Sequence, residues 1–424
     1  MVLVRVSFIN VFTLLIIALT VVPQSGGAVE YAVMNIGTPY GYECFRPNDI
    51  NAAGQIVGVA FGRDPNDADE YLLRGFLWER GVFTELPPLA DYLSSEAWEI
   101  NSTGQVVGKV YRINDEYPGT RTVIWLNGVC VDVAPSHDNG RQSHELGIND
   151  FGDIVGCFRK PDLSEPGFMI KDGIFTDIGS LGGGTKPASI NIHGEVAGTS
   201  WSKEERTQRA FLWDTNTGMV KLDDVARETT LASAIAINDS GQIVGREWFY
   251  EEGDERLQDQ AYIYDPLVGV IRLGTLGGTQ SIPYSINNSG QVVGWSVCEN
   301  ERHAFLYDEE SGMRDLNRLV DFFSGVLLNV ARSVNDKGEI VGSGHIINLR
   351  KEVGLLLIPI QDGGDCENLK TNADEEFADF STLVREWLST GQIATDVYPR
   401  CGDGIVNFRD FAELADEWLL EVER

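Results

Sequence analysis

Basic side chains, histidine and long apolar runs are all scarce in this chain. Lys and Arg together number 33 against 64 Asp and Glu, a net charge of −31. A surface so short of positive charge repels nucleic acid and anionic membranes, so neither is expected as a partner; it suits solubility or cation binding. The acids are spread along the chain rather than blocked, so they do not mark a disordered tail. Six cysteines occur (Cys44, Cys130, Cys157, Cys298, Cys366, Cys401) without a C-x-x-C pair, which argues against a zinc or thiol-redox site. The five histidines offer little catalytic pattern. His144-Glu145 lacks the second His of a metalloprotease helix. Ser136-His137-Asp138 has triad residue types, but triad members meet in space rather than as chain neighbours, and this segment reads as a loop. His303 reads as a residue of a repeat core. Gly182-Gly183-Gly184-Thr185 lacks the Lys of a phosphate loop and reads as a turn. With 64 acids, some always fall near one another, so no catalytic carboxylate pair can be assigned.

One apolar run stands out, Val11 to Val22, with Arg5 before it and Gly26-Gly27-Ala28 after it. That is the pattern of a secretory signal over residues 1–28, cleaved after Ala28. The run is shorter than a comfortable membrane span, which disfavours an uncleaved anchor, and no later segment is apolar enough to insert. A secreted chain, extracellular or at the cell surface, is expected, in a compartment where disulfides can form.

What the chain does have is a repeated phrase. Ile/Val-Asn-x-x-Gly-x-Ile/Val-Val/Ala-Gly begins at Ile50, Ile100, Ile148, Ile190, Ile237, Ile286 and Val334. Its asparagines, Asn51, Asn101, Asn149, Asn191, Asn238, Asn287 and Asn335, are spaced by 50, 48, 42, 47, 49 and 48 residues. A fixed period of this size is the signature of a repeat architecture. The phrase itself reads as a hairpin: Asn bonds to its own turn, and the first Gly takes a left-handed conformation. The second Gly ends the strand or admits a close backbone approach. This structural reading accounts for the asparagines without making them ligands.

After each phrase come two further apolar segments, such as Gly75–Trp78 then Val82–Leu86, or His303–Tyr307 then Met313–Leu316. They are rich in β-branched and aromatic residues and read as strands. Four short strands per ~48 residues is the size of a propeller blade. The seventh copy stops after Leu355–Ile360 without its last strand, whereas Tyr31–Gly37 resembles that missing strand. The expected fold is therefore all-β over residues 29–360: a seven-bladed β-propeller whose N-terminal strand completes the last blade. A linear β-solenoid is the competing architecture and would more often need caps.

Leu273-Gly274-Thr275-Leu276-Gly277-Gly278, then Ser285–Gly294, then His303-Ala304-Phe305-Leu306-Tyr307 resembles the extracellular HAF repeat family, named for its His-Ala-Phe triplet. The likeness spans roughly residues 31–360, though one copy alone keeps the full triplet. It implies an exported repeat protein and no particular reaction.

Composition changes at Gln361-Asp362-Gly363-Gly364-Asp365. Phe377–Leu388 matches Phe408–Leu419 at an offset of 31 residues, with Phe, Leu and Trp at helical spacing. The pair, residues 361–424, resembles a type I dockerin, a small α-helical unit that holds calcium and docks onto a cohesin. Calcium needs several oxygen ligands at alternate loop positions with Gly at the bend. The resemblance places Asp403, Gly404, Asn407 and Asp410 on the fifth, sixth, ninth and twelfth positions of the second loop. In the first loop it places Asn368, Asn372, Glu376 and Asp379 on the first, fifth, ninth and twelfth. Pro399, Cys401, Lys370 and Ala373 stand where ligands or the bend Gly belong, so both loops are degraded. A two-helix hairpin without metal is the alternative; a Cys366–Cys401 bridge would typically add ~3 kcal/mol.

Two functions follow from this reading. The first is a secreted scaffold that binds a carbohydrate or protein ligand through the propeller and docks on a cohesin-like or cell-surface partner through a calcium-binding tail. The second is a secreted polysaccharide-degrading enzyme with its site at the propeller axis. The side chains lining the axis discriminate them.

Overall fold

The structure is a computed structural model that describes residues 30–360, apart from 65–66, 112–119, 134–141, 159, 161–163, 223–230, 251–256, 321–324 and 347–350. Residues 1–29, with the expected signal, and the tail of residues 361–424, with every calcium position named above, lie outside the described residues. So does Ser136-His137-Asp138.

The expected seven blades are present, each a four-stranded antiparallel sheet. Blade 1 comprises β2 (Cys44–Ile50), β3 (Ile56–Asp64), β4 (Asp67–Glu79) and β5 (Val82–Leu86). Blade 2 comprises β6 (Ser94–Ile100), β7 (Val106–Tyr111), β8 (Thr120–Leu126) and β9 (Val129–Asp132). Blade 3 comprises β10 (Gln142–Ile148), β11 (Ile154–Phe158), β12 (Gly167–Lys171) and β13 (Ile174–Asp177). Blade 4 comprises β14 (Gly182–Ile190), β15 (Val196–Ser202), β16 (Thr207–Asp214) and β17 (Gly218–Lys221). Blade 5 comprises β18 (Leu231–Ile237), β19 (Ile243–Tyr250), β20 (Leu257–Asp265) and β21 (Gly269–Gly274). Blade 6 comprises β22 (Ser281–Ile286), β23 (Val292–Cys298), β24 (Glu301–Asp308) and β25 (Gly312–Asp315). Blade 7 comprises β26 (Val326–Val334), β27 (Ile340–Ile346) and β28 (Lys351–Pro359), completed by β1 (Tyr31–Asn35) on the outer edge.

The split blade closes the ring. Tyr31 pairs with Pro359 and Asn35 with Leu355, so β28 has no free edge. The joint is also packed: Ile36, Phe45, Ile50, Ile56 and Phe76 form one apolar cluster with Val341 and Leu356. Comparable clusters lie between the other blades. Val57 and Leu86 meet Ala97, Ile100, Val106 and Trp125, and Val244 and Ile263 meet Ile286, Val292 and Phe305. Each blade buries both faces against its neighbours, so its strands are apolar over long stretches rather than cleanly alternating. The first strand of each blade is the innermost, and these strands pack on one another around the axis.

One local reading is corrected: Gly182–Thr185 is the start of β14 and not a turn. Of the two roles open to the second Gly of the phrase, the structure shows close backbone approach, since it sits inside the second strand and not at its end. A Cβ on Gly58, Gly108, Gly198, Gly245, Gly294 or Gly342 would collide with a carbonyl oxygen of the innermost strand, so the position serves close backbone approach. That carbonyl lies beside a β-bulge in the innermost strand, as at Pro47/Asp49.

Candidate functional site

The two ends of the propeller differ. At one end, the turn between first and second strands always has five residues, from Asn51–Gln55 through Asn335–Glu339. Its first Gly is left-handed in every blade, with φ from +77° at Gly194 to +82° at Gly104 and Gly152. Asn238 is typical. Its Oδ1 accepts from the Ser240 and Gln242 amides at 3.1 and 2.9 Å. Its Nδ2 donates to Gln242 Oε1 at 2.8 Å and to the Asn287 carbonyl of the next blade at 3.0 Å. The same interblade bond runs from Asn51 to Asn101, Asn101 to Asn149, Asn149 to Asn191, and Asn191 to Asn238. It continues from Asn287 to Asn335 and returns from Asn335 to Asn51. Seven asparagines thus form one closed ring of hydrogen bonds, all spent on structure.

Just inside this ring, the residue two before each Asn is Asp49, Glu99, Gly147, Ser189, Ala236, Ser285 or Ser333. Here the axis does carry two carboxylates. Asp49 accepts from the Ile100 amide of the next blade at 2.9 Å and from the Ser333 hydroxyl at 2.6 Å. Glu99 accepts from the Ile148 amide at 3.1 Å. Burial pushes both acids up, Glu99 well above the usual carboxylate range, and the Asp49 charge adds to the effect at Glu99. Ser189 and Ser285 accept the corresponding amides of Ile237 and Val334. The acids therefore do a job that serine does in other blades, joining one innermost strand to the next.

At the opposite end the repeat loosens. The connection between second and third strands has two residues in blade 6 and eight in blade 2, and the link into the next blade runs from four residues after β13 to ten after β25. Side chains differ from blade to blade. Along the innermost strands, five residues before the ring Asn and toward this end, stand Arg46, Glu96, His144, Lys186, Ser233, Ile282 and Val330; mid-strand, three before it, stand Asn48, Trp98, Leu146, Ala188, Ile235, Tyr284 and Arg332.

Aromatic rings and charged groups pair at this mouth. Arg46 makes a bidentate bond to Glu352 (2.8 and 3.0 Å) and lies 4.5 Å from the Phe61 ring centre. The Arg46 guanidinium holds the Glu352 carboxyl below its ordinary range. Glu96 accepts from the Trp98 indole at 3.2 Å and the Tyr111 hydroxyl at 2.8 Å, and burial raises Tyr111. The Lys109 ammonium sits 4.5 Å over Trp98. Arg246 lies 4.3 Å over Trp248, and Arg302 4.3 Å over Trp295, whose indole donates to Tyr284 Oη at 3.3 Å. Trp201 is 43% exposed. Sequence reading missed this set because most of its residues change from blade to blade; lining up the seven phrases column by column exposes it, including an aromatic residue three after the second Gly in four blades (Phe61, Tyr111, Trp201 and Trp248). Among the described residues, no helix is long and apolar enough to cross a membrane.

The fold and these two ends define a closed seven-bladed β-propeller with one conserved structural end and one diversified end. A family model described as "Protein of unknown function (DUF3466)" matches residues 219–354, from the last strand of blade 4 into blade 7. No curated protein matches. Among solved structures, the chain is similar to the β-propeller domain of the Trilobed protease from Pyrococcus furiosus, which has an open velcro topology. Identity is 11%, the TM-score 0.53, and the match covers 76% of this chain and 98% of that one. It is also similar to the uncomplexed acylaminoacyl peptidase of Pyrococcus horikoshii, at 12% identity and TM-score 0.51, over 80% of this chain and 55% of that one. At such identities the likeness is one of fold alone.

Proposed function

We propose that this protein is an exported HAF-repeat binding scaffold that takes its ligand across the diversified mouth of the propeller. One observation carries the reading. Within a single chain, seven repeats keep the Asn end constant while residue type and connection length diverge at the other end. A purely structural repeat has no reason to diversify one end alone; loops held by a rigid scaffold are where recognition sits. Aromatic rings beside acids, amides and guanidinium groups suit a polyhydroxylated ligand, and polysaccharide is the favoured class, with a protein surface as the other outcome of the test. The tail would attach the scaffold to a cohesin-like or cell-surface partner, with calcium held by Asp403, Asn407 and Asp410 and by Asn368, Asn372, Glu376 and Asp379.

The test is binding of residues 29–424 to a panel of immobilised polysaccharides, compared with Trp201→Ala and Arg46→Ala. Saturable binding that at least one variant weakens tenfold or more supports the reading. Binding to no glycan, or binding untouched by both variants, removes carbohydrate at this mouth. Calcium titrated into the same chain, with Asp403→Asn and Asp410→Asn as controls, tests the tail separately.

The enzyme reading draws on the enclosed Asp49–Glu99 pair, since a weakened carboxylic acid is what a glycosidase uses as its general acid. Against it stands the engagement of both side chains by interblade amides. Polysaccharide hydrolysis abolished by Glu99→Gln would establish it.

A further inference from the structure

Among the described residues, three metal-binding side chains of different types come together in blade 6: Cys298, His303 and Asp315, whose donor atoms all lie within 4.8 Å of one another. We propose that they form a zinc-type divalent metal site on the rim of the mouth, with the fourth coordination position left to solvent.

The strand register builds the site. Cys298 ends β23 opposite Glu301, and His303 lies opposite Ser296, so Cys298 and His303 are diagonal neighbours on one face of the sheet. Asp315 ends β25 opposite Phe305, two residues beyond His303, and so shares that face. A two-residue hairpin at Glu299 and Asn300, both at positive φ, brings the Cys298 end back over β24. Asp315 is fixed from its other side: its Oδ1 accepts from the Asn317 amide at 2.9 Å and from Asn317 Nδ2 at 3.0 Å. Its Oδ2 lies 2.8 Å from His303 Nδ1.

The bland alternative is that His303–Asp315 merely replaces an ion pair. Blades 1 and 2 do carry one at this place, Arg74–Glu85 at 3.1 Å and Arg121–Asp132 at 2.8 Å. Guanidinium has no lone pair for a metal; imidazole does. Blade 6 alone combines that change with a thiol, which converts a cation–carboxylate pair into sulfur, nitrogen and oxygen donors, the set that zinc accepts. The absence of a C-x-x-C spacing does not bear on donors drawn from three strands.

Binding exchanges protons for metal. The Cys298 thiol binds as thiolate and releases its proton to solvent. The imidazole binds in its neutral form through Nδ1 with its single proton on Nε2; in the tautomer that holds this proton on Nδ1 against Asp315 Oδ2, it passes to Nε2 by exchange with solvent. Two donors each about 2.0–2.1 Å from a tetrahedral metal sit roughly 3.3 Å apart, so the Nδ1···Oδ2 pair opens by about half an ångström.

The test uses Co2+ alone as probe on chelator-treated residues 29–424. One equivalent is expected to give a near-ultraviolet thiolate-to-cobalt charge-transfer band and the strong visible bands of a tetrahedral centre, both bleached by Zn2+. Cys298→Ser should abolish the charge-transfer band while leaving the fold intact by circular dichroism. Should that variant misfold, protection of Cys298 from iodoacetamide by Zn2+, mapped in the wild-type chain, reads the same contact. A band that survives in C298S, or wild-type protein with neither band nor protection, overturns the proposal.

Discussion

Asn335 donates its side-chain Nδ2–H to the carbonyl of Asn51 at 3.0 Å, across 284 residues of chain. This bond closes a ring whose other six members each span a single repeat. It lies beside the joint where β1 completes blade 7, so the first and last repeats are tied at the axis as well as at the rim. The ring explains why Asn, rather than Asp or Ser, recurs at the turn. One side chain must accept two amides of its own turn and also donate twice, to the residue four ahead and to the next blade. Asp lacks the donors and Ser lacks the reach.

Replacing Asn238 therefore tests the ring. Asn238→Ala strands the Ser240 and Gln242 amides and the Asn287 carbonyl. The Asn287 bond is buried, whereas the two turn amides are part-buried and can be met by water; with an unsatisfied buried group costing about 1–3 kcal/mol, a loss of about 1–3 kcal/mol is expected in urea unfolding. Asn238→Asp keeps both accepted bonds yet sets a charge against Gln242 Oε1 and the Asn287 carbonyl, so its loss should be at least as large. If both variants cost under about 0.5 kcal/mol, the ring contributes nothing to stability.

The two glycines of the phrase should respond differently to the same methyl group. Gly241 has φ +78° and no clash, its added Cβ making only ordinary contacts with Pro266 at 3.6 Å and Glu195 at 3.7 Å. Gly241→Ala should cost the left-handed penalty alone, about 1–2 kcal/mol. Gly245 has an ordinary strand conformation, but its Cβ would strike the Ser233 carbonyl and the Tyr262 hydroxyl. Gly245→Ala should cost more than about 3 kcal/mol or abolish soluble expression. Denaturation midpoints of the two variants check the order; the reverse order would mean that the strands can separate at little cost.

How far the sequence is legible follows from where each signal sits. Turn chemistry is local, so Asn51–Gly54 and its copies are readable, and so is the split blade, because Tyr31–Gly37 resembles the fourth strand that begins at Ile174. What escapes is anything assembled between blades. The carbonyl that Asn238 reaches lies 49 positions onward. Asp49 and Glu99 look like two acids among 64 until the phrases are stacked and their column shows serines elsewhere. For Gly58 the chain leaves strand end and close backbone approach both open, because the Arg46 carbonyl that decides between them lies on the neighbouring strand. Cys298, His303 and Asp315 belong to three strands and match no linear motif. The calcium residues are the converse case: they form a linear motif, but they lie outside the described residues.

Closure by β1 should be separable from folding of the blades. A chain beginning at Thr38 loses Tyr31 and Val33, both buried, and bares the edge of β28. Edge pairing between molecules is the expected result, seen as dimers or larger species in size-exclusion chromatography. A peptide of residues 30–37 added in excess should restore the monomer. A truncated chain that stays monomeric with an unchanged thermal midpoint would show that the ring at the axis suffices.

The last prediction concerns Glu99. Burial and the nearby Asp49 raise its carboxyl well above the ordinary range in the folded chain. Folded protein then binds more protons than unfolded protein over the window between the two values, so stability falls as pH rises through it. Glu99→Gln removes the charge and keeps an oxygen to accept the Ile148 amide. The variant should be more stable than wild type at pH 8, by on the order of 1 kcal/mol, with the gain fading as pH falls toward roughly 4, where the unfolded glutamate protonates too. Asp49→Asn should gain less, because the bonds from Ser333 and the Ile100 amide offset part of the burial that raises Asp49. Urea unfolding at pH 4, 6 and 8 measures this. A Glu99→Gln loss that grows as pH rises would mean that the carboxylate is held as a favourable charge, and would overturn this account.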